Sequence, residues 1–157
     1  MLMDKLELWK MAVSLRKQLG EDSTSPIDIF TLAYSIDLLS IVYYPMGEHI
    51  SGLCIKGDRN NVIAINSSMT HGRQRFSMAH ELYHLNFDND PLTVICSKKI
   101  GEGSEKELQA DQFASYLLMP PNALSEMIKQ VKKSMSDRLT IKDVVRLEQY
   151  FGVSRQA

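Results

Sequence analysis

The sequence predicts an α+β domain in which helices pack around a small antiparallel sheet, with the segment His80-Glu-Leu-Tyr-His84 on a central helix. Three observations lead there. Apolar residues recur at helical spacing near both ends of the chain. Two short apolar runs flank a turn-forming stretch in the first half, and the paired histidines lie in a segment that is apolar on several sides.

Each element follows from its residues. Leu2, Leu6, Trp9 and Val13 mark a first amphipathic helix over Leu2–Leu19, closed by Gly20 and a polar break. Pro26 fits the first turn of a second helix reaching about Leu39. Ser40–Tyr44 is β-branched and aromatic, and reads as a strand. Gly52–Lys56 and Val62–Asn66 flank Gly57–Asn61 as a hairpin. A third helix is expected from His71 to Phe87, stopped by Asp88-Asn-Asp-Pro91, with a less regular stretch through Gly103 beyond it. A fourth starts near Ser104 and ends at Pro120-Pro121, which cannot continue a helix. A fifth, amphipathic and basic, covers Asn122 to about Lys133. Thr140-Ile-Lys-Asp143 then opens a last helix ending at Phe151-Gly152, after which Ser154 fits the cap of another.

A chain of 157 residues suffices for one domain with its own core, and 44% hydrophobic with 24% charged residues is ordinary for a soluble protein. The net charge of −1 gives no basis for a nucleic-acid or membrane partner. Seven Lys or Arg against three Asp or Glu from Lys129 onward make the end locally basic, most simply a solvated helix face. The first twenty residues alternate charge with apolar side chains, unlike a signal peptide or membrane span. Cys54 and Cys96 form no metal-binding pair motif and are expected as two reduced thiols in a cytoplasmic protein.

Chemistry concentrates at His80-Glu-Leu-Tyr-His84. Residues four apart on a helix are offset by about 40° and one turn, so both rings point the same way. They can reach one ion at about 2.0–2.1 Å, with zinc the default for such donors and manganese or iron as alternatives. Glu81, within about 100° of both, can act on a water at that ion without binding it, as in metal-assisted hydrolysis. Phe76, Ala79, Leu82, Tyr83 and Leu85 make the helix a buried one, where a charged Glu81 is costly without compensation.

Two imidazoles leave a catalytic site one protein ligand short. Glu107 and Asp111 share a helical face with Ala110, Ala114 and Leu118. Glu107 can ligate while Asp111 orients a histidine through its second nitrogen. A competing role exists, because Ser104-Glu-Lys-Glu107 also fits a capping box in which Glu107 only satisfies backbone donors. Coupled to the histidine pair, the ligand role is preferred.

The run Arg75-Phe-Ser-Met-Ala-His-Glu-Leu-Tyr-His84, followed by Glu107-Leu-Gln-Ala-Asp-Gln-Phe-Ala-Ser-Tyr-Leu-Leu-Met-Pro120, resembles the ImmA/IrrE family of metallopeptidases over about Pro26 to Pro120. The resemblance implies His80, His84 and Glu107 as zinc ligands, Glu81 as the catalytic carboxylate and Asp111 behind a ligand. It also implies a protein substrate, a helix-turn-helix transcriptional repressor. Tyr83 departs from the glycine that many members carry.

Residues 1–135 are therefore expected to form a zinc metallopeptidase domain. Residues 136–157 read as the truncated start of a helix-turn-helix-like segment, too short to read a DNA groove. The alternative is a non-catalytic metal-binding regulatory or toxin–antitoxin module with a DNA-binding C-terminal segment. His49 and His71 fit solvated positions, Arg73 and Arg75 fit exposed ones, and no residue pattern selects Tyr116 or another tyrosine as an oxyanion donor.

Overall fold

The computed structural model describes residues 3–89, 94–97, 99–132 and 138–157. Four features expected from the sequence lie outside the described residues: the helix start at Leu2, Pro91 in the helix stop, the helix end at Lys133 and the domain boundary at 135/136.

The sheet forms around the expected hairpin. Strands β1 (Leu39–Tyr44), β2 (Ile50–Ile55), β3 (Asn61–Asn66) and β4 (Val94–Ser97) lie in the order β1-β3-β2-β4. The hairpin β2–β3 is antiparallel, with Cys54 opposite Ile63. Because β2 and β3 pair locally, β1 takes the outer edge of β3 and runs parallel to it, Ile41 opposite Ile63. The sheet is thus mixed rather than wholly antiparallel. Strand β4 falls in the stretch expected to be irregular and pairs antiparallel with β2, with a register shift between Ile50 and Gly52.

Helix α1 (Lys5–Gln18) forms where expected but turns a different face inward: Leu8, Ala12 and Leu15 are buried, while Leu6 is exposed and Trp9 and Val13 are only half-buried. The second helix is much shorter than Pro26 implied. It is α2 (Ile29–Tyr34), started by Asp28, which accepts hydrogen bonds from the Thr31 amide at 3.2 Å and the Thr31 hydroxyl at 2.8 Å. It stops where the Ser35 hydroxyl bonds the Leu32 carbonyl at 2.6 Å, a local bond that competes with helix continuation. Leu38 then takes φ 59°, turning the chain into β1.

Helix α3 (His71–Phe87) is the central element, and Arg75 through His84 are buried without a break. It packs on β2 and β3, against α2, and against α4 (Glu105–Leu118). From α4, Ala110, Phe113, Ala114, Leu117 and Leu118 are fully enclosed, the alanines letting the helices approach closely. Tyr83, Phe87 and Phe113 pack with ring centroids 5.3–5.8 Å apart, each such pair worth about 0.5–1.5 kcal/mol beyond area burial. Tyr83 also donates to Gln109 Oε1 at 2.9 Å, so the tyrosine that departs from the family pattern bridges α3 and α4.

Helix α5 (Pro121–Val131) begins on the proline that was expected only to break α4, since a first-turn proline sacrifices no helical hydrogen bond. Helix α6 (Ile141–Phe151) has the complete capping box of Thr140 and Asp143 and ends on left-handed Gly152, φ 64°. Leu147, Phe151 and Val153 join the common core. Arg75 corrects its expected exposure. It is 8% exposed and donates to the carbonyls of Gly152 (2.8 Å), Ile27 (2.8 Å) and Phe151 (3.3 Å), so it fastens the end of α6 to α3. Arg75→Ala removes these charge-assisted bonds and should lower stability by about 2–3 kcal/mol. Urea denaturation measures the loss, and hydrogen exchange should quicken first in α6. An unchanged midpoint would show that this docking contributes nothing.

Candidate metal centre

The site grows from two helical faces. His80 and His84 lie one turn apart on α3, and their Nε2 atoms are 3.1 Å apart. From α4, Glu107 sets Oε2 3.3 Å from His80 Nε2 and Oε1 3.2 Å from His84 Nε2. The three side chains expected to share an ion therefore meet. Bonds of about 2.0–2.1 Å at tetrahedral angles put donor atoms roughly 3.3–3.4 Å apart, so the spacing fits a small ion such as zinc with little rearrangement.

The competing role of Glu107 has a structural answer. Ser104 accepts from the Glu107 amide at 3.4 Å, which is half of a capping box. The Glu107 carboxylate, however, turns inward to the imidazoles rather than back to the helix start.

Behind the rings stand two aspartates. Asp111 Oδ1 is 2.8 Å from His80 Nδ1, and its Oδ2 accepts the Gly101 amide at 2.6 Å. Asp88 Oδ2 is 3.4 Å from His84 Nδ1, while Oδ1 meets Lys106 Nζ at 2.8 Å. Asp111 stands where the sequence puts it. Asp88 reads there only as a helix stop, although its four-residue offset from His84 repeats the motif's own spacing. These partners leave each Nε2 facing the shared centre.

Glu81 is fully buried, and neither carboxylate oxygen has a hydrogen bond of ordinary geometry among the described residues. Burial pushes its pKa up to about 7, with His80, the nearby Cys96 thiol and His84 pulling the other way. A thiol is a weak donor and does not satisfy the carboxylate. Room for Glu81 comes from Gly52 on β2, where an added Cβ would stand 2.9 Å from Glu81 Oε1 and 2.9 Å from the Ala64 carbonyl. Burial opposes protonation of His80, yet the hydrogen bonds its ring donates to Asp111 and Glu107 outweigh it and raise the pKa to about 9. For Glu107 burial likewise loses to the two histidines, and the pKa falls to about 2.

Cys96 is the other group that sequence reasoning missed. Its sulfur joins His80, His84 and Glu107 in one cluster of donor atoms, all within 4.8 Å of one another. No spacing motif marks it, because only the pairing of β4 with β2 brings it in. Both cysteines are buried free thiols, as expected. His49 and His71 are exposed. Arg73 is half-buried over the Phe76 ring at 5.8 Å rather than exposed. Tyr116 lines a groove between α4 and α5, away from the histidine pair.

An α+β domain whose H-E-x-x-H helix meets a glutamate from a neighbouring helix has the architecture of metallopeptidases with a two-histidine, one-glutamate site. The chain belongs to the family of the IrrE N-terminal-like domain, whose profile matches residues 39–157. That match runs past Pro120, where the motif resemblance ends, and takes in α5 and α6. The chain is 37% identical over 107 residues to the radiation response metalloprotease IrrE of Deinococcus radiodurans, covering 66% of this chain and 32% of that protein. It is 29% identical over 105 residues to IrrE of Deinococcus deserti, covering 64% and 36%. The chain thus spans about a third of the length of these relatives. A solved Mycobacterium tuberculosis transcriptional regulator shares the fold with TM-score 0.64 at 15% identity, over 96% of this chain and 44% of that one.

The shifted groups give the metal-free protein a defined pH profile. Glu81 holds its proton to about 7 in the fold against an ordinary 4.5, so stability falls as pH rises between those values. His80, held to about 9 against 6.5, contributes stability that is complete below pH 6.5 and lost as pH rises through 9. Glu107, lowered to about 2 from 4.5, stabilises above pH 4.5 and ceases to as pH falls through 2. The melting temperature without metal should therefore peak near pH 5 and decline towards pH 9. Glu81→Gln should flatten the part below pH 7. A rise from pH 5 to 9 would contradict these assignments.

Proposed function

We propose that this domain is a zinc-dependent metallopeptidase in which His80, His84 and Glu107 hold the metal and Glu81 is the general base. The observation that carries the reading is the meeting of three donor side chains at 3.1–3.3 Å, one residue from a buried carboxylate with pKa raised to about 7. Zinc suits this donor set, and manganese or iron are alternatives. When bound, the ion supplies Lewis acidity, polarising a carbonyl and lowering the pKa of water towards about 7.

The remaining work belongs to the chain. Asp111 and Asp88 hold the two rings in orientation. Glu81 takes a proton from the attacking water, and an affinity for protons near neutrality suits it to release that proton to the leaving amine. Gly52 leaves its carboxylate the space to do so. An extended peptide can lie along the outer edge of β4, an edge of the sheet beside the motif helix, where main-chain groups supply hydrogen bonds.

The substrate in this reading is a protein, and more narrowly a helix-turn-helix transcriptional repressor. Support comes from family membership and from relatives named as radiation response metalloproteases. A cytoplasmic location belongs to the same proposal; no described helix is long and apolar enough to cross a membrane. So does the division into a metallopeptidase domain at 1–135 and a helix-turn-helix-like opening at 136–157, for which α6 and its glycine turn speak, although Leu147, Phe151 and Val153 of that segment pack into the common core.

A second reading is a metal-binding module without catalysis, and Cys96 favours it, because a fourth protein donor closes a structural site. Glu81→Gln separates the two. Metal analysis should show equal zinc in wild type and variant, while cleavage of the repressor encoded nearest the gene should fall about 10²–10⁴-fold. Unchanged cleavage by the variant would refute the general-base role, and zinc-loaded wild type that cuts nothing would favour the module.

A further inference from the structure

Cys96 has a place in the donor cluster that the peptidase mechanism does not use. Its side chain is fully buried, as is His84, and His80 is 5% exposed. One donor atom from each of His80, His84, Cys96 and Glu107 lies within 4.8 Å of every other. A zinc–sulfur bond of about 2.3 Å beside zinc–nitrogen bonds of about 2.0–2.1 Å sets sulfur roughly 3.6 Å from the nitrogens. The Cys96 sulfur therefore needs to draw in by about 1 Å at most.

The strand that carries it is suited to that adjustment. Cys96 pairs with Gly52, beside the register shift between Ile50 and Gly52, on an edge strand. Irregular pairing of this kind re-aims side chains at the rims of sheets. A buried thiol alone is more often a small apolar filler than a ligand. Glu81 supplies the second sign, since its carboxylate is fully enclosed and neither oxygen has a hydrogen bond of ordinary geometry among the described residues. An enclosed carboxylate without a strong partner points to a bound group among the donors beside it.

We propose that Cys96 is a fourth protein donor to the metal at His80, His84 and Glu107, closing the resting centre with sulfur. The inference rests on the metal-centre reading above. On coordination the S–H bond is lost, its proton leaves to solvent and the thiolate becomes the ligand. A closed centre has no position for water beside Glu81. Hydrolysis then begins only after the Cys96 sulfur withdraws, so this thiol governs entry to the catalytic state.

Cobalt titration of the metal-stripped full chain tests this without relying on activity. Wild type should take up one equivalent and develop the near-ultraviolet charge-transfer band of a cobalt thiolate. Cys96→Ala and the closer isostere Cys96→Ser should still take up one equivalent and lose the band, while Cys54→Ala keeps it. A wild-type protein that binds one cobalt without the band, or a Cys96→Ala protein that retains it, overturns the Cys96 assignment and leaves the metal centre standing. Failure of wild type to bind cobalt at all overturns both. Since the wild-type spectrum is decisive alone, a variant that does not fold cannot rescue the idea.

Discussion

Three ionisable side chains, His80, Glu81 and His84, sit in the middle of a helix that is buried for ten residues in succession, and the surrounding structure is arranged to tolerate them. Polar groups moved out of water need partners, and charged ones need them most. The imidazoles have theirs. Asp111 and Asp88 reach the outer nitrogens and Glu107 faces the inner ones. Each aspartate is itself held, one by the Gly101 amide and the other by Lys106. The supports come from α4, from the end of α3 and from the loop before α4, so burial of two rings constrains three parts of the fold at once. Glu81 is the exception. The sheet makes room for it at Gly52 without giving it a strong partner. Stability is thereby withheld at the position where the proposed proton transfer needs an unengaged carboxylate.

How much of this could be read from the sequence depended on whether the determining contacts were local. The period of α3, its limits at His71 and Phe87, and the face of α4 bearing Ala110, Asp111 and Ala114 are local patterns, and they appear in the structure as expected. The hairpin β2–β3 is likewise set by its own turn. Features decided by distant pairing were not readable. Strand β1 lies parallel to β3 because of which edge remained free, and β4 exists because β2 had another. The short α2 shows a local signal misjudged, since Asp28 caps more effectively than Pro26 initiates. Arg75 deceived for a further reason. A cation near a helix start suggests solvent, but the carbonyls it satisfies lie about fifty and seventy-five residues away.

Glu107 shows how one local motif can serve two masters. Its amide caps against Ser104 while its carboxylate turns to the histidines. The capping signal was therefore true of the backbone and silent about the side chain. Only the packing of α4 on α3, allowed by small residues and locked by the Tyr83–Phe113 contact, decides which way the carboxylate points. Family membership extends over the same two helices and onward to residue 157, in keeping with a core that Leu147, Phe151 and Val153 help to complete. The basic end of the chain thus contributes to the fold that positions the site, whatever else it contacts.

Besides Asp88, the sequence-level picture lacked Cys96 and the space at Gly52, which face each other across one pair of strands, and that pairing sets a competition. Cys96 can lie against Glu81 or move towards the histidines, but one sulfur cannot do both. While it faces the carboxylate it only weakly offsets the burial of Glu81. Drawn to a divalent cation as the thiolate, it cancels with the Glu107 carboxylate the charge of the ion, so the closed centre does nothing to favour the ionised form of Glu81. The same move fills the position that the proposed hydrolysis needs for water. Base strength and water access are therefore both governed by a single side chain on an edge strand.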